Sequence, residues 1–115
     1  MHARKTGQID LGVDTDEEAY DAIRRWLSFL PSNAWESAPR VESVGSLDHD
    51  PELEAMVPTR RTRGYDIRKV VARIMDPGSV FELQPTYARN VVCAMARLDG
   101  HSVGVACTPN RLAMT

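Results

Sequence analysis

The sequence predicts a mixed α+β (α/β) chain, and three observations carry that prediction. Two stretches repeat apolar residues at three- and four-residue spacing, as an amphipathic helix requires. Two β-rich runs meet at Asp99-Gly100, a dipeptide suited to the two positive-φ positions of a tight hairpin turn. Between these elements lies a long polar stretch with no periodicity, so helix and sheet are segregated along the chain.

The first helix begins at Val13-Asp14-Thr15-Asp16-Glu17-Glu18. Thr15 is placed to cap the free amides of the first turn, and Glu18 to return the bond as a capping box. Asp16, Glu17 and Glu18 set negative charge where the helix dipole is positive. Tyr20, Ile23, Leu27 and Leu30 then form one apolar stripe with Trp26 beside them, and Arg24 and Arg25 lie off it. Pro31-Ser32-Asn33 is expected to end the helix, with Trp26 and Trp35 packing around its exit.

From Pro31 to Gly64 the pattern is lost, and four of the seven prolines fall there: Pro31, Pro39, Pro51 and Pro58. A short helical turn is expected near Pro51-Glu52-Leu53-Glu54-Ala55-Met56. A connection of this length is unusual inside one small domain and reads as an interdomain linker. The second helix spans 66–75, with Asp66 as its N-cap and positions 67, 70, 71, 74 and 75 as its apolar stripe. Asp76-Pro77-Gly78 stops it, and Val80 to Leu83 is a candidate short strand.

The hairpin can be given a register. A two-residue turn at Asp99-Gly100 pairs Leu98 with His101 and carries that pairing along both runs, Val91 to Leu98 and Ser102 to Thr108. Val92, Ala94, Ala96 and Leu98 then share a face with His101, Val103, Val105 and Cys107. Cys93, Met95 and Arg97 lie on the other face, opposite Ala106, Gly104 and Ser102. Both faces are apolar or small enough to expect cover. The same register sets Cys93 and Cys107 on opposite faces, which argues against a disulfide between them.

The bulk numbers exclude several classes. At 115 residues the chain suffices for one small core. Its formal net charge of -2 exerts no general pull toward nucleic acid or anionic membranes. No apolar run approaches the roughly 18 residues of a membrane helix, and the start carries no secretory pattern. Two cysteines without close spacing fit a reducing compartment, so a cytoplasmic protein is expected.

Three stretches together resemble the carboxyltransferase (β) subunits of biotin-dependent acyl-CoA carboxylases, the propionyl-, acetyl- and methylcrotonyl-CoA carboxylase family. The first runs from His2 to Asp10 and on through the acidic-start helix to Leu30-Pro31-Ser32-Asn33. The second is Tyr65-Asp66-Ile67-Arg68-Lys69-Val70-Val71-Ala72-Arg73-Ile74. The third combines Phe81-Glu82-Leu83-Gln84-Pro85, Tyr87-Ala88 with Asn90, Ala96-Arg97-Leu98-Asp99-Gly100, and Val103-Gly104-Val105. Their order along the chain matches the family's order.

The resemblance implies an incomplete crotonase-like ββα spiral. Residues 1–33 would close the first carboxyltransferase domain, 34–64 would be the interdomain linker, and 65–115 would open the second domain with a helix and the hairpin. It also implies a chemistry, the transfer of carboxylate from N1 of biotin to the α-carbon of an acyl-CoA. The family's two glycine-rich oxyanion loops have no counterpart in this sequence, which contains no Gly-Gly pair. No catalytic residue is therefore carried over, the cofactor-binding residues stay open, and the chain alone is expected to be inactive. Ala106-Cys107-Thr108-Pro109 and Leu112-Ala113-Met114 also depart from the family's Ala-Asn-Gln-Pro and Leu-Ala-Gly. The implied cofactors are biotin, carried on a partner protein, and acyl-CoA. The implied partners are acyl-CoA carboxylase subunits in a homo- or hetero-oligomer and the biotin carboxyl carrier. The alternative is a non-catalytic truncated relative that docks on a full-length carboxylase.

Other candidates are weaker. Arg60-Arg61-Thr62-Arg63 with Arg68, Lys69 and Arg73 could meet CoA phosphates or nucleic acid, but no aromatic interleaves them. They read better as a solvated linker and helix face, and no nucleic-acid partner is expected. His2, His49 and His101 lack ligand spacing, so no metal is expected. Cys93 and Cys107 read as small buried strand residues rather than nucleophiles.

Overall fold

In the computed structural model, residues 5–43, 50–59 and 64–108 are described. Helix α1 spans Asp16–Leu27, α2 spans Pro51–Met56 and α3 spans Ile67–Ile74; strands β1, β2 and β3 span Phe81–Leu83, Val92–Leu98 and His101–Cys107. The strands form one antiparallel sheet in the order β1-β2-β3.

The hairpin has the register its turn dictates, from Leu98 opposite His101 to Val92 opposite Cys107. Asp99 and Gly100 sit at φ of 51° and 77°, the left-handed conformation that twists two strands into a tight turn. β1 adds Phe81 opposite Met95, Glu82 opposite Ala94 and Leu83 opposite Cys93. Directly opposed residues share a face. One face therefore carries Glu82, Ala94 and Val105; the other carries Phe81, Met95 and Gly104.

The two longer helices attach to opposite faces. Helix α3 lies over the first, where Arg68 meets Glu82 and Val70 and Val71 are buried with Val92, Ala94 and Ala96. Asp66 caps it, accepting from the amide of Arg68 at 3.0 Å. Helix α1 reaches the second face through its exit. Phe29 is buried, and its ring stands 6.5 Å from that of Phe81. Short α2 starts on Pro51 behind the Asp50 cap, as the Pro-Glu-Leu-Glu-Ala-Met stretch led one to expect, and packs beside α3.

The start of α1 shows how local chemistry fixes a helix. Thr15 Oγ1 accepts from the Glu18 amide at 3.2 Å. The Glu18 carboxylate reaches back to the amide of Asp14 at 3.0 Å, one residue before the cap whose amide a capping box would engage. The regular helix ends at Leu27, ahead of Pro31. The exit then tightens into i to i−3 bonds from Phe29 to Trp26 and from Leu30 to Leu27, because Pro31 offers no amide to continue the ladder.

Two expectations fail on burial. Trp35 packs on nothing and is 96% exposed, since the chain leaves the α1 exit over solvent. Cys93 is exposed because it occupies the second face at the end of the sheet that Phe29 does not reach; Gly104 and Ala106 share that open surface. The α1 stripe itself is uncovered, with Tyr20, Ile23 and Leu27 each more than half exposed. The radius of gyration, 16.0 Å, exceeds the roughly 13 Å of a compact domain of about this size. Helix and sheet form here with much of their apolar surface open.

Candidate functional site

Few of the residues singled out from the sequence come together. His2, His49, Arg60, Arg61 and Arg63 lie outside the described residues, as do Pro109, Leu112, Ala113 and Met114. His101 is exposed at the start of β3. Among the described residues no group of three or more His, Cys, Asp or Glu side chains could hold a metal ion, and no helix is long and apolar enough to cross a membrane.

The basic residues of α3 are mostly engaged. Arg68 forks onto Glu82, its Nε and Nη2 donating to the carboxylate at 3.1 and 2.9 Å. That hydrogen bond raises the guanidinium's pKa above its ordinary value. Arg73 binds Asp50 and also contacts Glu52 at 2.8 Å. The Arg73 hydrogen bond holds the Asp50 carboxyl below its usual range. Lys69 is exposed and lines a cavity of about 570 Å³ with Glu54, Tyr65 and Asp66.

Burial pushes the Cys107 thiol above its ordinary pKa, against the opposing pull of Arg68. Cys107 is half-buried under α3, and Cys93 is exposed on the other face. Alkylation with iodoacetamide at neutral pH is therefore expected to mark Cys93 at least about tenfold faster than Cys107. Peptide mass spectrometry over a time course checks this, and equal rates would contradict the difference in burial between the two thiols.

The built centre of the molecule is one that sequence reasoning missed. Asp76 and Arg97 are both buried, at 6% and 9% exposure. The Asp76 carboxylate accepts from the turn amides of Asp99 at 3.0 Å and Gly100 at 2.8 Å. The Arg97 guanidinium donates to the carbonyls of Ser28 at 2.7 Å, Pro39 at 3.0 Å and Gly100 at 3.2 Å, and to Ser102 Oγ at 3.3 Å. It also lies 5.1 Å from the centre of the Phe29 ring. Neither charge is paired with the other; backbone dipoles solvate both, which is how a buried ion avoids its desolvation penalty.

Arg25 makes a parallel tie on the same face. Its Nη2 donates to the carbonyls of Gly78 at 2.8 Å and Val80 at 2.9 Å, and its guanidinium stands 5.5 Å from the Phe81 ring centre. Arg25, Phe81, Phe29 and Arg97 thus line up across the α1 exit as two neighbouring rings with a guanidinium against each, an arrangement favoured by the ring quadrupoles. The signal available in the sequence was slight: an arginine in a strand of small and apolar residues, and an aspartate directly before Pro-Gly. This centre is structural in chemistry, since the Asp76 carboxylate and the Arg97 guanidinium are both buried and bonded to protein groups.

Beside it, Leu11, Val13, Ala19, Ile23, Trp26 and Leu83 line an open apolar groove of about 500 Å³ between α1 and β1. The segment before α1 closes one end. Gln84 donates from its backbone to the Asp10 carbonyl at 2.8 Å and from its side chain to the Gly7 carbonyl at 3.0 Å.

Comparison with known proteins agrees along almost the whole chain. The carboxyl transferase domain family matches residues 1–112. A propionyl-CoA carboxylase carboxyltransferase subunit of Haloferax mediterranei is 40% identical over 112 residues, covering 96% of this chain and 22% of its own length. A methylmalonyl-CoA decarboxylase subunit alpha of Propionigenium modestum is 40% identical over 105 residues, covering 90% of this chain and 20% of its own. Among solved structures, a transcarboxylase 12S hexamer with hydrolysed methylmalonyl-CoA superposes with a TM-score of 0.88 at 36% identity, over 94% of this chain and 21% of that one. The chain thus spans about a fifth of the length of these relatives. Matched over residues 1–112 and superposing over 94% of its length, it belongs to the carboxyl transferase domain family.

Proposed function

We propose that this chain is the central segment of a biotin-dependent acyl-CoA carboxyltransferase subunit and is inactive by itself. Residues 1–33 close the first carboxyltransferase domain, 34–64 link, and 65–115 open the second, so the segment is one part of a crotonase-like spiral. The observation that carries the reading is the ordered similarity over 94% of the chain to the transcarboxylase 12S structure at a TM-score of 0.88. The open apolar surfaces of α1 and of the hairpin are consistent with it, because a segment cut from a larger fold exposes the surfaces its neighbours would cover.

In this reading the reaction moves a carboxylate from biotin to an acyl-CoA. Biotin, when bound on its carrier, supplies the activated carboxyl group, and its ureido oxygen calls for a concentrated set of hydrogen-bond donors. The α1 groove is apolar, and the other cavity sets the Lys69 ammonium and the Tyr65 hydroxyl among the carboxylates of Glu54 and Asp66, so neither offers a concentrated donor set. No step is therefore routed through residues of this chain. Its contribution is to fix the α1 exit and the hairpin turn against each other through Arg97, Asp76 and Arg25.

A chimera tests this. The matched segment of the Haloferax mediterranei subunit is exchanged for this chain, and biotin-dependent carboxylation of propionyl-CoA is measured for the chimera and for the isolated chain. The expected result is activity in the chimera within about a hundredfold of the parent, and none from the chain alone. Turnover by the isolated chain, or a folded chimera with no activity, would reject the proposal. The second outcome would favour the other reading, a non-catalytic relative that docks on a carboxylase through the exposed α1 stripe.

A further inference from the structure

We propose that residues 28–41 form a releasable strap, pinned by the single guanidinium of Arg97, that couples helix α1 to the β2–β3 turn. The inference rests on geometry alone and does not depend on the carboxyltransferase reading. Residues 32–40 are exposed throughout, so burial does not hold them. The strap is gripped at its two ends instead. At one end the Ser28 carbonyl accepts from Arg97 Nη2 at 2.7 Å, and Phe29 lies under the same guanidinium. At the other end the Pro39 carbonyl accepts from Arg97 Nη1 at 3.0 Å. One side chain thus closes the loop on itself.

Three further contacts seat the second end. The Val41 amide donates to the Gly100 carbonyl at 3.1 Å, Arg40 Nε donates to the Asp99 carbonyl at 3.1 Å, and Arg40 Nη2 pairs with the Asp99 carboxylate at 3.0 Å. The Arg40 pair is half exposed at both partners, which makes it a weak restraint. Losing the Arg97 grip therefore leaves the second end of the strap to the Val41 backbone bond and the exposed contacts of Arg40 with Asp99, while buried Phe29 still anchors the first end. The sheet ladder and the α3 face lie on other surfaces and keep their own contacts. The strap should accordingly dock and undock as one unit while the sheet stays folded, which is the behaviour of a low-stability local opening. Docked, it sets α1 against the hairpin turn; undocked, the two move independently.

The Arg40-Val41 bond gives a direct readout, because trypsin cleaves after arginine and needs that side chain and the flanking backbone free. The full chain and its Arg97→Lys variant are digested under native conditions, and fragments are followed by mass spectrometry. Lysine keeps the charge but cannot span carbonyls at both ends of the strap in one fork. Cleavage at Arg40-Val41 is expected to accelerate about tenfold, while cleavage at Arg73-Ile74 within α3 changes less than about twofold. Equal acceleration at both bonds, or at neither, would overturn the proposal. Amide hydrogen exchange of the unsubstituted chain decides the matter if the variant does not fold. Phe29, Leu30 and Val41 should exchange at one common rate, faster than the β2–β3 ladder. A Val41 rate equal to the ladder's would overturn the strap.

Discussion

Replacing Asp76 by alanine is expected to lower the unfolding free energy of the chain by about 3 kcal/mol. The reason lies in the hairpin turn. In a two-residue turn with both central residues at positive φ, the central amides point away from the strand ladder and have no partner within the hairpin. The amides of Asp99 and Gly100 are turned toward Asp76, whose two carboxylate oxygens take one each. The carboxylate is buried, so water does not replace it when it is removed. Each bond is charge-assisted, and each lost partner leaves a donor that costs about 1–3 kcal/mol. Asp76→Asn keeps one acceptor and turns an amide donor toward the other N–H, so an intermediate loss is expected. Urea denaturation followed by circular dichroism measures all three chains. A midpoint for Asp76→Ala within error of the unsubstituted chain would show that the turn amides find other partners.

How much of this was legible in the sequence depends on the range over which each interaction acts. The Thr15 cap, the Asp66 cap and the Asp99-Gly100 turn are signalled within about four residues, and each stands where its residue type requires. The hairpin register followed from its turn, because a two-residue loop leaves only one pairing. Arg97 shows the opposite case. Two of its three carbonyl partners lie 58 and 69 residues away, and nothing local in Ala-Met-Ala-Arg-Leu announces them. The sequence placed Arg97 on the correct face without telling what that face would meet. Arg25 was set aside for lying off the apolar stripe, yet it is the residue by which α1 reaches the loop after α3.

Burial was the least legible property. Periodicity says which residues share a face, and a buried face is then assumed. In α1 the stripe is present and its cover is not, since no residue of the helix is buried. Trp35 and Cys93 fail for the same reason, each being apolar or soft in type but placed where this chain has nothing to set against it. The family resemblance was visible in ordered short motifs because it depends on residue identity.

Gly100→Ala is expected to cost about 3 kcal/mol or more, through two effects that a second glycine separates. Gly100 sits at φ +77°, where an L side chain pays about 1–2 kcal/mol. A Cβ there would also overlap the Val41 carbonyl oxygen and stand 3.3 Å from Arg40 Cγ. The overlap is with backbone, so it cannot be relieved by turning a side chain; the 39–41 segment must lift. Lifting it stretches the Val41 amide from the Gly100 carbonyl and the Pro39 carbonyl from Arg97. Gly78 provides the control. It has nearly the same φ, +71°, and nothing within 4 Å of a Cβ built on it. Gly78→Ala should therefore cost only the conformational part, about 1–2 kcal/mol. The two variants, compared by urea denaturation, give the value of the overlap as their difference. A difference of zero would mean that the segment does not press on the turn in solution, and that the close approach of Val41 to Gly100 contributes nothing to holding the hairpin against the α1 exit.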